Sequence, residues 1–415
     1  MGYSRKIGRR DFLKLAGGGL AGAMMLGVAG CGGGGGGGQG GGESGPIRIG
    51  ALLTLSGPYA TLGESIRNGM ETFLRLNDNQ IGGREVEVRY EDSEGDPQVA
   101  LRVYRQLTGQ NAVDFLMGPV ISTEALALAN RLQRDRIILI NSNAAANDLS
   151  WGQKSDYSYR VSQSNYQLGA AGAPYIFENI GKRAFAIGMD YVAGYEVIEA
   201  FRIAYQEAGG EVVGSAFSAP GTADFATYLT NIRRAEPEVV FSFLSGTDAI
   251  RFIQQYDSFG LKGEIPLIGH DQLASPTVTD PAGEAAEGVM AISFYYPNLE
   301  NETNRRFVEA YRNEYDQSPD TIACQGYDTG NVIARAVEEA GSTEPDALIE
   351  VLRGISVDSP RGSFTIDPET NNPVQNYYVG ENVREGGSMG VRIIDTIEDV
   401  GMPAEPPEGY NPTGG

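Results

Sequence analysis

The chain has 415 residues, 54 acidic and 32 basic, for a formal charge of −22. That length carries two domains with a large buried core, and the acidic balance excludes nucleic acid and anionic lipid as main partners. One His and two Cys exclude a Cys/His metal site and a disulfide between two folded segments, so no metal and no cofactor is expected. Arg supplies nearly all of the positive charge. A Lys-poor acidic surface fits a high-salt habitat or a biased base composition equally.

Residues 1–31 read as an address. Gly8-Arg9-Arg10-Asp11-Phe12-Leu13-Lys14 is a twin-arginine export signal, followed by an apolar run too short and glycine-rich for a membrane span. The run ends in Val28-Ala29-Gly30-Cys31, which resembles a lipobox. The resemblance implies cleavage before Cys31 and its lipidation; an uncleaved anchor helix is the alternative. Both place the rest outside the cytoplasm, held at the outer face of the cell membrane by its anchor. The Gly-rich stretch 32–46 is a flexible tether.

From Ile47 onward strand and helix alternate. Residues 47–53 are an apolar strand, Ser56-Gly57-Pro58 a turn, and Ile66, Met70, Phe73 and Leu74 a helical stripe. Residues 85–91 alternate as a strand, and Asp96-Pro97 starts a helix with Val99, Val103 and Leu107 inward. The stretch 113–150 reads strand, helix, strand, with apolar runs at 113–117 and 137–140 and Ala125, Leu128, Ala129 and Leu132 on one face between them. Ser122 and Thr123 stand where the N-cap of that helix belongs. Both strands finish in small polar residues. In an open parallel sheet, ligands bind outside the carboxyl ends of the strands, and free N–H groups at a helix start favour an anion. An ordinary βα loop uses the same residues, so both readings stand at this point.

At Arg160-Val161-Ser162 the pattern restarts. A helix over 166–179 leads to strand 184–189, helix 195–208, strand 211–217, helix 225–235, strand 239–244, helix 248–259 and strand 265–268. A strand at 289–296 and helices at 304–315, 327–340 and 345–353 follow. Residues 362–395 read as short strands, and 401–415 as a loose Pro-rich tail. The fold class is α/β, with two doubly wound parallel-sheet lobes.

Six stretches, taken in order, are similar to the leucine/isoleucine/valine-binding family of extracytoplasmic solute-binding proteins that serve ABC importers. They are IGALLTLSGPYATLG (49–63), YEDSEGDPQVA (90–100), residues 118–123, GEAAEGV (283–289), GYDTGNVIARAVEEAG (326–341) and GSFTIDPETNNPVQNYY (362–378). The resemblance implies a periplasmic-binding-protein type I fold: lobe one from 47–161 and 293–358, lobe two from 162–292 and 359–400. Three crossings, near 160–162, 292–296 and 357–361, would form the hinge around a clamped ligand.

The resemblance also implies a site. A ligand carboxylate would meet Ser122 and Thr123, and an ammonium would meet the Ala144 carbonyl and the Asp271 carboxylate. Ala145 stands where a threonine hydroxyl is usual, and Ser245 where a Tyr is common. Ala193-Gly194 replaces another Tyr-Gly, so Tyr191 would reach in from two residues earlier. Leu62 lies on the wall of the first-lobe loop. The alternative for Asp271 is a helix cap before Gln272. The implied partners are a small amino-acid-like ligand, of branched-chain type, and the permease and ATPase subunits of an importer. Alternatives are an amide, urea or another small metabolite as ligand, or a ligand-sensing receptor lobe.

Enzyme readings find little. Gly386-Gly387-Ser388-Met389-Gly390 satisfies G-x-S-x-G but precedes a strand rather than a helix, and a triad would have to use His270 beside Asp271. No catalytic residue is expected. Asn301-Glu302-Thr303 is a glycosylation sequon in an exported chain.

Overall fold

A computed structural model describes residues 45–109, 113–386 and 388–412. The export signal, Cys31 and most of the glycine tether lie outside the described residues. Among the described residues no helix is long and apolar enough to cross a membrane.

The first sheet is built from β1 (Ile47–Leu53), α1 (Ala60–Leu76), β2 (Gln80–Ile81), β3 (Arg84–Asp92), α2 (Pro97–Leu107), β4 (Phe115–Gly118), α3 (Ser122–Asp135), β5 (Ile138–Asn141) and β6 (Ser158–Arg160). Its strand order is β2-β3-β1-β4-β5-β6, parallel except for the β2–β3 pair. The apolar runs of β4 and β5 are buried throughout, as a sheet covered on both faces requires. Asp96 caps α2, its carboxylate accepting from the Gln98 and Val99 amides.

The second sheet follows from α4 (Asn165–Ala170), α5 (Ala173–Asn179), β7 (Arg183–Met189), α6 (Val192–Glu207), β8 (Glu211–Ser218), α7 (Ala226–Ala235), β9 (Val239–Phe243), α8 (Gly246–Ser258), β10 (Leu267–His270), α9 (Pro276–Ala282) and β11 (Met290–Ser293). The chain then returns to lay α10 (Glu302–Tyr315), α11 (Thr321–Ala340) and α12 (Pro345–Leu352) over the first sheet, with α11 crossing α1. It goes back for β12 (Ser356–Val357), β13 (Phe364–Ile366), β14 (Pro373–Glu385) and β15 (Ser388–Val400). Nine strands result, in the order β12-β13-β14-β11-β10-β9-β7-β8, with β15 on β14. Strands β8 to β11 are parallel; the late strands add antiparallel. This is a mixed, parallel-dominated α/β protein with two lobes.

Arg361, at the third passage between the sheets, is buried with its Nε 3.2 Å from Asp328 of α11. Its guanidinium lies over Phe364 at 3.9 Å and over Phe294, from the second passage, at 4.8 Å. One buried cation therefore pins two passages to the helix between them.

Three expectations need correction. The helix expected over 166–179 is two helices, because Pro174 has no N–H to offer the Ala170 carbonyl and Gly172 sits where a Cβ would strike Ile292 at 1.8 Å. Residues 362–395 do not hold only short strands: β14 and β15 form a hairpin of 13 residues on each side, and the G-x-S-x-G stretch begins at its turn. The tail is not loose over 401–412. Met402 is buried, and Tyr410 packs edge-on to Trp151 at 5.3 Å and beside Tyr166 at 6.1 Å.

Candidate functional site

The site grows from the carboxyl ends of β1, β4 and β5. Gly118 closes β4 at φ +93°, and a Cβ there would lie 2.0 Å from the Leu52 carbonyl, so only glycine lets this strand end pass β1. The loop that follows delivers Ser122 as the first residue of α3, with Ile121 rather than Ser122 or Thr123 at the cap. Glu124 reaches back to accept from the Ile121 amide. The amides of Ser122 and Thr123 lie in the first turn, where a helix has no internal acceptor for them. With the dipole of a helix of 14 residues behind them, they suit an anion.

The Ser122 hydroxyl oxygen accepts from the Ala145 and Ala146 amides at 3.2 and 3.1 Å, which fastens the β5 loop to α3. Ala144 is buried, and its carbonyl already accepts the Asn141 side-chain amide at 2.9 Å. The Ala145 carbonyl takes the Asn165 amide of α4, so this loop also abuts the passage into the second sheet. Arg160, missed in the sequence, ends β6 beneath the loop. It donates to the Ala146 carbonyl at 2.8 Å, while its Nε and Nη1 find no partner among the described residues. Burial pulls it down to about 9, against the opposing charge of Glu196.

Across the cleft, Asp271 follows β10. Its Oδ1 lies 3.0 Å from His270 Nδ1, and its Oδ2 accepts the Thr321 hydroxyl of α11 at 3.0 Å, a direct bond between the lobes. Burial works to raise this carboxyl, but the hydrogen bond and charge of His270, then Thr321, outweigh it and hold Asp271 below the ordinary range. His270 Nε2 faces the Leu244 carbonyl at 3.0 Å and the Ser245 hydroxyl at 3.3 Å. Ser245 is the N-cap residue of α8.

Tyr191 stands at the start of α6, 6.4 Å from the Phe243 ring, and is 43% exposed. Burial of its hydroxyl end, and then Tyr59 of the first lobe, push it up to about 12. Tyr59 itself is 50% exposed on the β1–α1 loop, and Leu62 is half-buried against the core below it.

The structure thus joins Ser122, Ala144 and Ala145 in one loop cluster, and Ser245 with Asp271 through His270. Among the described residues, Thr123 and Leu62 make no side-chain hydrogen bond to either group. What sequence reading missed were Arg160 and the role of His270; its signal was a lone His next to the one acid singled out. No group of three His, Cys, Asp or Glu that could hold a metal occurs among the described residues. Asn301 caps α10, accepting the Asn304 amide while its own amide donates to Pro360, so the sequon side chain is already engaged.

Residues 46–388 match the periplasmic binding protein family, and the chain belongs to it. It is similar to "Leu/Ile/Val-binding protein homolog 6" of Brucella melitensis, at 28% identity over 86% of this chain and 93% of that protein. Among solved structures, an ABC transporter substrate-binding protein from Sphaerobacter thermophilus is 35% identical, with a TM-score of 0.82, over 85% of this chain and 98% of the other. A solute-binding protein of an ABC transporter from R. palustris, in complex with benzoate, is 30% identical with a TM-score of 0.75, over 87% and 99%. The chain is therefore a substrate-binding protein of the ABC-importer kind, extracytoplasmic by family, which binds small ligands and is not an enzyme.

Proposed function

We propose that this is a lipid-anchored extracytoplasmic protein that captures a small carboxylate between its lobes and presents it to the permease and ATPase of an importer. The observation that carries the reading is the start of α3, whose first-turn amides have no acceptor inside the helix and lie beside the loop that Ser122 fastens. A relative named for Leu, Ile and Val and one complexed with benzoate support it, because a carboxylate is what those ligands share. Anchoring is supported by the lipobox-like Val28-Ala29-Gly30-Cys31 behind an export signal.

The test is a thermal-shift screen across amino acids, benzoates, short branched acids, amides and urea, since a ligand of the folded state stabilises it by RT ln(1 + [L]/Kd). Stabilisation by carboxylates is expected; stabilisation by neutral amides or urea alone sinks the reading. Replacing Cys31→Ser should release the protein from membranes. Undiminished membrane association would show an uncleaved helix to be the anchor.

A further inference from the structure

We propose that His270 stands as an imidazolium that matches Asp271 from within the protein, so that the cleft selects a small carboxylate carrying no ammonium group. The inference rests on the carboxylate reading above and narrows it.

His270 ends β10 and is 4% exposed. Its Nε2 points at the Leu244 carbonyl at 3.0 Å, and its Nδ1 at Asp271 Oδ1 at 3.0 Å. A carbonyl oxygen cannot donate, so Nε2 must carry a proton. An ionised carboxylate cannot donate either, so Nδ1 must carry one as well. The Ser245 hydroxyl could donate to Nε2, but at 3.3 Å it lies farther off than the carbonyl that has to accept. The Phe243 ring, 4.5 Å from the imidazole, offers the cation a π face.

The pair is then neutral, and both Asp271 oxygens are engaged, one by His270 and one by Thr321. A ligand ammonium brought to Asp271 would have to displace Thr321 and lie a few ångströms from a second cation. In a buried setting like charges at that range repel strongly. The other ammonium acceptors are weakened too. Ala145 has no hydroxyl, and the Ala144 carbonyl already accepts Asn141. Asp320, a further acid that feels the Asp271 charge, accepts from the Ser65 hydroxyl at 2.6 Å and the Ala323 amide at 2.7 Å. Tyr296 and Tyr377, which feel the Asp271 charge, are kept neutral by burial. Each of these contacts weighs toward a ligand with one negative end and no positive one.

Because the chain holds a single His, nitrogen-15 NMR of the purified protein reports His270 alone. Two protonated ring nitrogens at neutral pH are expected; one bare nitrogen overturns the imidazolium. The second arm is calorimetry with matched pairs, leucine against 4-methylpentanoate and phenylalanine against 3-phenylpropanoate. The member without the ammonium should bind about tenfold or more tightly. An amino acid that binds as tightly as its partner overturns the selection. His270→Gln keeps a donor toward Asp271 but removes the charge, and should close most of that gap; an unchanged gap overturns the role given to His270. Should His270→Gln fail to fold, the spectrum and the matched pairs decide the matter on the parent protein. If neutral amides bind and no carboxylate does, the carboxylate reading fails with the selection, while the nitrogen spectrum still decides the state of His270.

Discussion

Ser122 has two tasks that a substitution would expose separately. Its hydroxyl oxygen satisfies the Ala145 and Ala146 amides, so Ser122→Ala orphans two amide donors apart from any contact proposed with ligand. We expect a loss of roughly 1–3 kcal/mol of stability with no ligand present, read from denaturant melts; an unchanged melt would mean the loop is not fastened there. Asp271 makes a pH prediction with a definite sign. Its carboxyl is depressed, so its contribution is full above the unfolded value, roughly pH 4, and is lost as pH falls through the folded one. Glu196 runs the other way: burial raises it, so its contribution fades as pH rises through the raised value. Acid melts of Asp271→Asn should therefore lose less stability below roughly pH 4 than the parent does. Parallel acid limbs would count against the ion pair. Ser122 and Asp271 were legible because each follows an apolar run at a breaker. The pairing of His270 was not, since Leu244 and His270 are neighbours only through the β9–β10 register.

Periodicity made most elements visible, because a buried stripe on a helix and an apolar run in a covered strand both leave a mark in the chain. It could not show where elements touch. Helix α1 crosses α11 at glycines: a Cβ on Gly69 would lie 1.9 Å from the Ala323 carbonyl, and one on Gly326 2.0 Å from the Ile66 carbonyl. In the sequence Gly326 is merely a weak point in a helix; in the fold it is a point of close approach between two helices. Gly326→Ala should therefore destabilise by roughly 1–3 kcal/mol, even though alanine favours a helix by about 1 kcal/mol. A melt that rises instead would show that the crossing relaxes freely. The division between α4 and α5 was readable from Pro174. The length of the β14–β15 hairpin was not, because β14 draws its partners from β11 and β13 as well as from β15.

At the scale of the molecule, two lobes were legible from the restart at Arg160, and the three passages between them only through the family resemblance. The C-terminal segment was misread, because proline content says where a helix cannot run and nothing about what a chain can lie against. Trp151 donates to the Pro403 carbonyl, Arg202 to the Gly409 carbonyl, and the Asn411 amide to Glu199. Residues 402–412 thus hold both lobes outside the three passages. The Tyr410 hydroxyl accepts from the Asn147 amide of lobe one at 2.7 Å and donates to the Glu196 carbonyl of lobe two at 3.3 Å. Any rotation that parts the lobes at this point must lengthen one of these bonds. The segment then acts as a seat belt that resists the parting of the lobes. A chain ending at Val400 should let ligand go several-fold faster in stopped-flow chase experiments, since loosened contacts are read mainly in dissociation. Equal residence times in the two chains would leave the belt with nothing to restrain.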